Sequence, residues 1–225
     1  MTTTTTVECR VVDVAALADV TCSGAADIVL VLDQSTSIVA QPQYYDNWYT
    51  HVLGFAESVA GAFPIGRNLT RVGLMKFSDR VNVEFHLDFY DDRQSVQKAI
   101  SGLDIDGGDT NIAAALRTAR KVMFSTSNGA RPGIPKIIIL LTDGAANAEA
   151  SKTRPEAELT KAADIKIFTV GVTPEVDENQ LRLIASKPDY FFFVSDFNLL
   201  NTVVRNLVKN SCREVATLAP TPLGQ

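Results

Sequence analysis

The sequence predicts an α/β domain: a doubly wound, mostly parallel six-stranded sheet with one antiparallel edge strand and helices on both faces. Three observations predict it. Two short runs, Asp27 to Leu32 and Lys136 to Leu141, are almost purely aliphatic, as strands buried on both faces must be. Strand-length and helix-period segments alternate along the chain. One strand pair is joined only by Ser78-Asp79-Arg80, a connection too short for parallel strands.

Each element follows in order. The first aliphatic run ends in Asp33, and Trp48, Val52, Phe55 and Val59 then set a helical stripe within Tyr44 to Phe63, closed by Pro64 and Gly66. Thr70 to Phe77 and Val81 to Phe85 are the antiparallel pair. Val96, Ile100 and Leu103 mark a helix over Asp92 to Leu103. After the Gly107-Gly108 break, an alanine-rich helix spans Ile112 to Phe124. Beyond the Lys136 strand come a helix at Glu156 to Ala163, a strand at Ile165 to Val170, a helix at Glu178 to Ala185 and a strand at Phe191 to Val194. An amphipathic helix closes the series at Asn198 to Asn210, with Leu200, Val203, Val204, Leu207 and Val208 on one face.

The 225 residues, 46% of them hydrophobic, suffice for one core. The expected division is an N-terminal extension over 1–22, the domain over 23–212 and a C-terminal linker over 213–225. Met1 and its five threonines lack the layout of a signal peptide, and Asp13 and Asp19 interrupt the apolar stretch Val11 to Val20. The proline-rich tail reads as a linker, so the chain is expected to be part of a larger protein. A net charge of -5 argues against nucleic acid as partner, and no apolar run is long enough for membrane insertion.

In doubly wound sheets ligands bind outside the carboxyl ends of the strands. Three segments there carry chemistry: Asp33-Gln34-Ser35-Thr36-Ser37, Gly107-Gly108-Asp109-Thr110-Asn111 and Thr142-Asp143-Gly144. Together they offer two carboxylates and several hydroxyls, an all-oxygen donor set. It suits Mg²⁺, or Mn²⁺ or Ca²⁺, and is poor for Zn²⁺. Asp33 and Asp143 neutralise one divalent ion, which leaves it open to one more anionic oxygen, such as a carboxylate from a partner protein. Each segment alone has a plainer reading: Ser37 as a helix cap, Thr142-Asp143-Gly144 as a turn, the glycine pair as a helix break. Their joint occurrence at three strand ends favours the metal.

These residues carry a resemblance to von Willebrand factor A domains, whose metal-ion-dependent adhesion site follows the pattern D-x-S-x-S, a threonine in a glycine-rich loop, then T-D-G. The resemblance covers Asp27 to Cys212 and is strongest to the matrix type, as in matrilins and fibril-associated collagens. It implies that Ser35, Ser37 and Thr110 coordinate the metal directly, and Asp33 and Asp143 directly or through water. It further implies a secreted matrix-binding module whose ligand is an extracellular protein, collagen being a first candidate. The inserted helix that shapes a collagen groove in integrin-type members has no counterpart between Phe124 and Lys136. The alternative is a structural spacer of a matrix protein with an incidental metal site.

Of three cysteines, Cys22 precedes the first strand and Cys212 follows the last helix, so a bridge would staple the two ends. Three reduced thiols are the other reading; the resemblance, with cysteines at both ends, implies the bridge. Cys9 is left over for an intermolecular disulfide. Asn68-Leu69-Thr70 is a glycosylation sequon. Asp104, Asp106 and Asp109 form either a solvated acidic loop or a rim that repels acidic ligands, favours a basic ligand flank or attracts extra Ca²⁺. No enzyme is expected: nucleophile-elbow, phosphate-loop and dinucleotide motifs are missing, and His51 and His86 lie away from the strand ends. A metal-dependent phosphatase with Asp33 as nucleophile would want a second aspartate where Ser35 stands.

Overall fold

β1 (Asp27–Asp33) is buried along its whole length and sits in the middle of the sheet. The structure is a computed structural model and describes residues 24–40, 43 and 45–217. β1 pairs in parallel with β2 (Arg71–Phe77) and with β4 (Lys136–Thr142). β5 (Ile165–Val172) and β6 (Phe191–Val194) continue the parallel array beyond β4, and β3 (Val81–Phe85) closes the other edge antiparallel to β2. The six-stranded order β3-β2-β1-β4-β5-β6 is the doubly wound arrangement that the sequence predicts. Successive strands run outward in opposite directions from β1 and β4, so a crevice opens beyond their carboxyl ends.

The strand period decides which core each residue joins. Ile28, Leu30 and Leu32 of β1 face one apolar layer, and Val29 and Val31 face the other. The first layer is covered by α2 (Leu53–Gly61), α3 (Arg93–Ser101) and α7 (Leu200–Thr217), through residues such as Phe55, Val59, Ile100, Val204 and Leu207. The second is covered by α4 (Ile112–Thr118), α5 (Ala150–Ala162) and α6 (Glu178–Ile184), through Leu116, Ala157 and Leu181. Each fully buried aliphatic side chain contributes about 2 kcal/mol, so both layers are needed. Trp48, fully buried, satisfies its indole N–H on the Leu103 carbonyl at 2.9 Å.

Several boundaries differ from the sequence reading. A short α1 (Thr36–Val39) follows β1, and the Tyr44 to Phe63 pattern divides into a π-helical segment, Asp46–Val52, and α2. α5 begins six residues earlier than expected, at Ala150, because its first turns are mostly exposed and carry no apolar stripe. α7 passes through Cys212 to Thr217. Glu214 and Val215 are buried, so residues 213–217 belong to the packed domain and not to a linker. The expected extension at 1–22, with Cys9 and Cys22, and the tail from 218 onward lie outside the described residues.

Candidate metal centre

Asp33 is the last residue of β1, and the sheet itself fixes where it points. One carboxylate oxygen accepts the Ser35 N–H at 2.8 Å, and the other accepts the Thr142 hydroxyl at 2.5 Å from the end of β4. Ser35 stands just ahead of α1, with its side chain free of any capping bond. Its hydroxyl meets that of Ser37 at 2.9 Å, and Ser37 donates to Asp143 Oδ1 at 2.6 Å. The hydroxyl of Ser37 is thus turned to the neighbouring loop and does not cap a helix.

The second loop joins through its backbone. Gly107 and Gly108 take φ of 84° and 118°, which glycine adopts without strain. Gly108 donates its N–H to Thr36 Oγ1 at 2.9 Å and accepts the Thr36 N–H at 2.8 Å, stitching the first two loops together. Thr110 is held on both sides of its peptide by one residue. Its N–H donates to Asn147 Oδ1 at 2.8 Å, and its carbonyl accepts the Asn147 N–H at 3.1 Å. Asn111 caps α4 by accepting the Ala114 N–H at 2.9 Å. A β-carbon placed on Gly144 would lie 3.6 Å from Thr110 Oγ1 and 3.8 Å from Ser37 Oγ, so hydroxyls of the first two loops converge on the third.

Asp33, Ser35, Ser37, Thr110 and Asp143 are therefore gathered at one place. Asp33 is fully buried and Asp143 is 1% exposed, whereas Ser37 stays open to solvent. Burial, and next the charge of Asp143, pushes the Asp33 carboxyl up to about 7. Burial likewise raises Asp143 to about 6, against the opposing hydrogen bond from Ser37. Asp143 Oδ2 is buried and accepts no hydrogen bond. Two desolvated carboxylates, one with an orphaned oxygen, fit a bound divalent cation. Among the described residues no cluster of three or more His, Cys, Asp or Glu side chains gathers, so hydroxyls must complete this donor set.

Other expected features lie elsewhere. His51 belongs to the π-helical segment and His86 follows β3, neither at the centre. Asp104 accepts the Tyr49 hydroxyl at 3.2 Å, and Asp106 accepts Asn82 Nδ2 at 3.3 Å. Asn68 is exposed ahead of β2, at the end of the sheet opposite the carboxyl ends of the parallel strands. Only a 3₁₀ turn, Thr126–Asn128, occupies the stretch between Phe124 and β4 apart from irregular chain. Sequence reasoning missed Asn147 and gave Thr142 no role. The only signal for Asn147 is its place as the lone polar side chain within Ala145-Ala146-Asn147-Ala148.

Fold and site define an α/β domain with an oxygen-donor centre at the switch point of its sheet. The family model described as von Willebrand factor type A domain matches residues 27–206, and the chain belongs to that family. It is 35% identical over 199 residues to the transmembrane cell adhesion receptor mua-3 of Caenorhabditis elegans, covering 87% of this chain and 5% of that protein. It is 34% identical to the collagen alpha-1(XII) chain of Notophthalmus viridescens, covering 88% of this chain and 20% of that one, and 30% identical to human matrilin-1, covering 85% and 37%. The chain thus spans well under half the length of these relatives. Among solved structures, proximal thread matrix protein 1 from the mussel byssus, with a zinc-occupied MIDAS motif, superposes with a TM-score of 0.79 at 29% identity. That match covers 85% of this chain and 49% of the mussel protein. Zinc, which the oxygen donors here disfavour, is thus accommodated at the motif of that relative.

Proposed function

We propose that this domain is an extracellular matrix-adhesion module that binds a protein ligand through a divalent cation, Mg²⁺ in the first instance, with Mn²⁺ or Ca²⁺ as substitutes. The observation that carries the reading is the buried, unpartnered Oδ2 of Asp143 beside the Ser35 and Ser37 hydroxyls. Ser35, Ser37 and Thr110 would hold the cation directly. Both oxygens of Asp33 already accept hydrogen bonds, which suits it to act through water, and Asp143 has an oxygen to spare. The cation, when bound, supplies an open position for a carboxylate oxygen of the ligand. Collagen or another matrix fibril is the first candidate, since relatives of this chain include a collagen chain and a matrilin.

The same reading makes the chain a secreted, non-enzymatic protein. Among the described residues, no helix is long and apolar enough to cross a membrane. We assign to Cys212, half-buried on α7, a disulfide with Cys22. Cys9 then remains for a bridge to another chain, and exposed Asn68 carries the glycan at the end away from the ligand. Tying α7 to the first strand in this way favours a single predominant affinity state. Reduction of the bridge that raised affinity without unfolding would reveal a clamped switch, and unchanged affinity would remove the clamp.

The test is a pull-down from matrix extract in Mg²⁺ and in chelator, beside a Mn²⁺ titration by calorimetry. Cation-dependent retention of a matrix protein is expected. Retention that chelator leaves untouched would turn the domain into a spacer. Turnover of generic phosphoesters with metal would instead make it a hydrolase.

A further inference from the structure

Beside the metal-binding loops the surface folds into a recess of about 390 Å³, lined by Gln34, Asp79, Arg80, Asn82 and Asp106 and by the backbone of Gly107 and Gly108. It shares residues with the centre itself, since Gln34 lies between Asp33 and Ser35, and Gly108 is bonded to Thr36. Gln34 is 1% exposed, and its buried Oε1 accepts no hydrogen bond. Asp79 accepts the Ser78 hydroxyl at 3.2 Å, and Asp106 accepts Asn82 at 3.3 Å, so each carboxylate keeps free lone pairs. The one cation of the lining, Arg80, is 87% exposed and leans on Asp79 at 3.7 Å. Asp109, exposed on the same loop, adds a third negative charge nearby.

A carboxylate approaching the metal centre therefore meets a rim that repels it. Complementary charge on the ligand removes that penalty and selects the partner. We infer that this recess is a specificity subsite for a basic side chain, lysine or arginine, adjoining the carboxylate that the ligand brings to the cation. The inference rests on the proposed metal-dependent binding and narrows it to ligands with neighbouring acidic and basic groups.

Two small probes test it on the Mg²⁺-loaded domain, followed by amide NMR titration. Nα-acetyl-lysine and Nα-acetyl-norleucine each carry one carboxylate and a similar chain, and differ in the ammonium group. The lysine compound is expected to bind about three- to fivefold more tightly, the scale of an exposed ion pair. It should shift Gln34, Asp79 and Asp106 as well as Ser35, Ser37 and Thr110, and the Asp79→Asn/Asp106→Asn double variant should erase the preference. Equal affinity for the two compounds would overturn the subsite, as would a lysine preference that survives in the double variant. Mg²⁺-dependent binding of the norleucine compound shows separately that the metal reading stands. Failure of both compounds to perturb the three hydroxyl residues would bring down that reading and the subsite with it.

Discussion

Asp33 has a structural duty and a proposed metal-binding one, which a single substitution can separate. Its carboxylate receives the Ser35 N–H and the Thr142 hydroxyl in a fully buried position. Asp33→Ala would leave both donors unpaired and cost about 1–3 kcal/mol of stability besides the charge. Asp33→Asn keeps an acceptor for Ser35, and the Thr142 hydroxyl can turn to accept from the new amide. We expect Asp33→Asn to abolish Mn²⁺ binding in calorimetry while leaving the metal-free melting temperature at neutral pH unchanged or higher. A variant that still binds the metal would end the proposed role. Asn147 offers a second test, because it reaches the centre only through the Thr110 peptide. Asn147→Ala should weaken Mn²⁺ binding roughly fivefold, about 1 kcal/mol. Asn147→Asp, which keeps the acceptor, should recover most of it. In a Thr110→Ala background the Asn147→Ala effect should vanish, and additive losses would refute the coupling.

At the scale of elements, the end of α7 was the least legible from the sequence. The stripe Leu200, Val204, Leu207 and Val208 is plain, and by sequence the helix ends at polar Asn210. Tertiary contacts carry it on. Ser211 returns its hydroxyl to the Leu207 carbonyl at 2.9 Å, and buried Glu214 accepts hydrogen bonds from Lys187 and Tyr190. Tyr190 in turn stacks on Phe168 of β5 with centroids 3.9 Å apart. Burial opposes ionisation of Glu214, but the hydrogen bonds from Lys187 and Tyr190 outweigh it and hold its carboxyl below the usual range. Ionised Glu214 therefore supports the fold above the ordinary carboxylate pKa, and that support fades as pH falls through the lowered value. Glu214→Ala should cost about 1–3 kcal/mol in urea unfolding, chiefly through the stranded Tyr190 hydroxyl, and speed amide exchange in the last turns of α7. Protection as in the wild type would show that the helix end holds without this contact. The π-helical segment Asp46–Val52 was hidden for another reason: a local widening of the helical turn leaves the apolar spacing nearly unchanged.

Across the whole molecule the paired carboxylates set a pH dependence of unusual sign. Asp33 and Asp143 titrate at about 7 and about 6 in the fold, above the 3.8 of an unperturbed aspartate. Between those limits the metal-free fold binds more protons than the unfolded chain, so its stability falls as pH rises. A divalent cation held as proposed would reverse this by favouring the ionised pair. The gain in melting temperature from saturating Mg²⁺ over chelator should be small near about pH 5 and grow to its full value by about pH 8. A gain independent of pH would show that these two carboxylates do not hold the ion.

The sequence by itself determined the class of sheet and its antiparallel edge, and it singled out the oxygen-bearing side chains that the fold brings together. Burial on two faces demands continuous aliphatic strands, the short Ser78 to Arg80 turn demands an antiparallel edge, and hard cations demand oxygen. Those are local rules, read from neighbours in the chain. Only the tertiary structure decided that Asp33 is buried, that Thr142 and Asn147 brace the centre, that Gln34 borders a recess, and that α7 reaches Thr217. Each of these depends on groups that meet across the fold from distant parts of the chain. Spacing along a sequence carries no trace of such meetings.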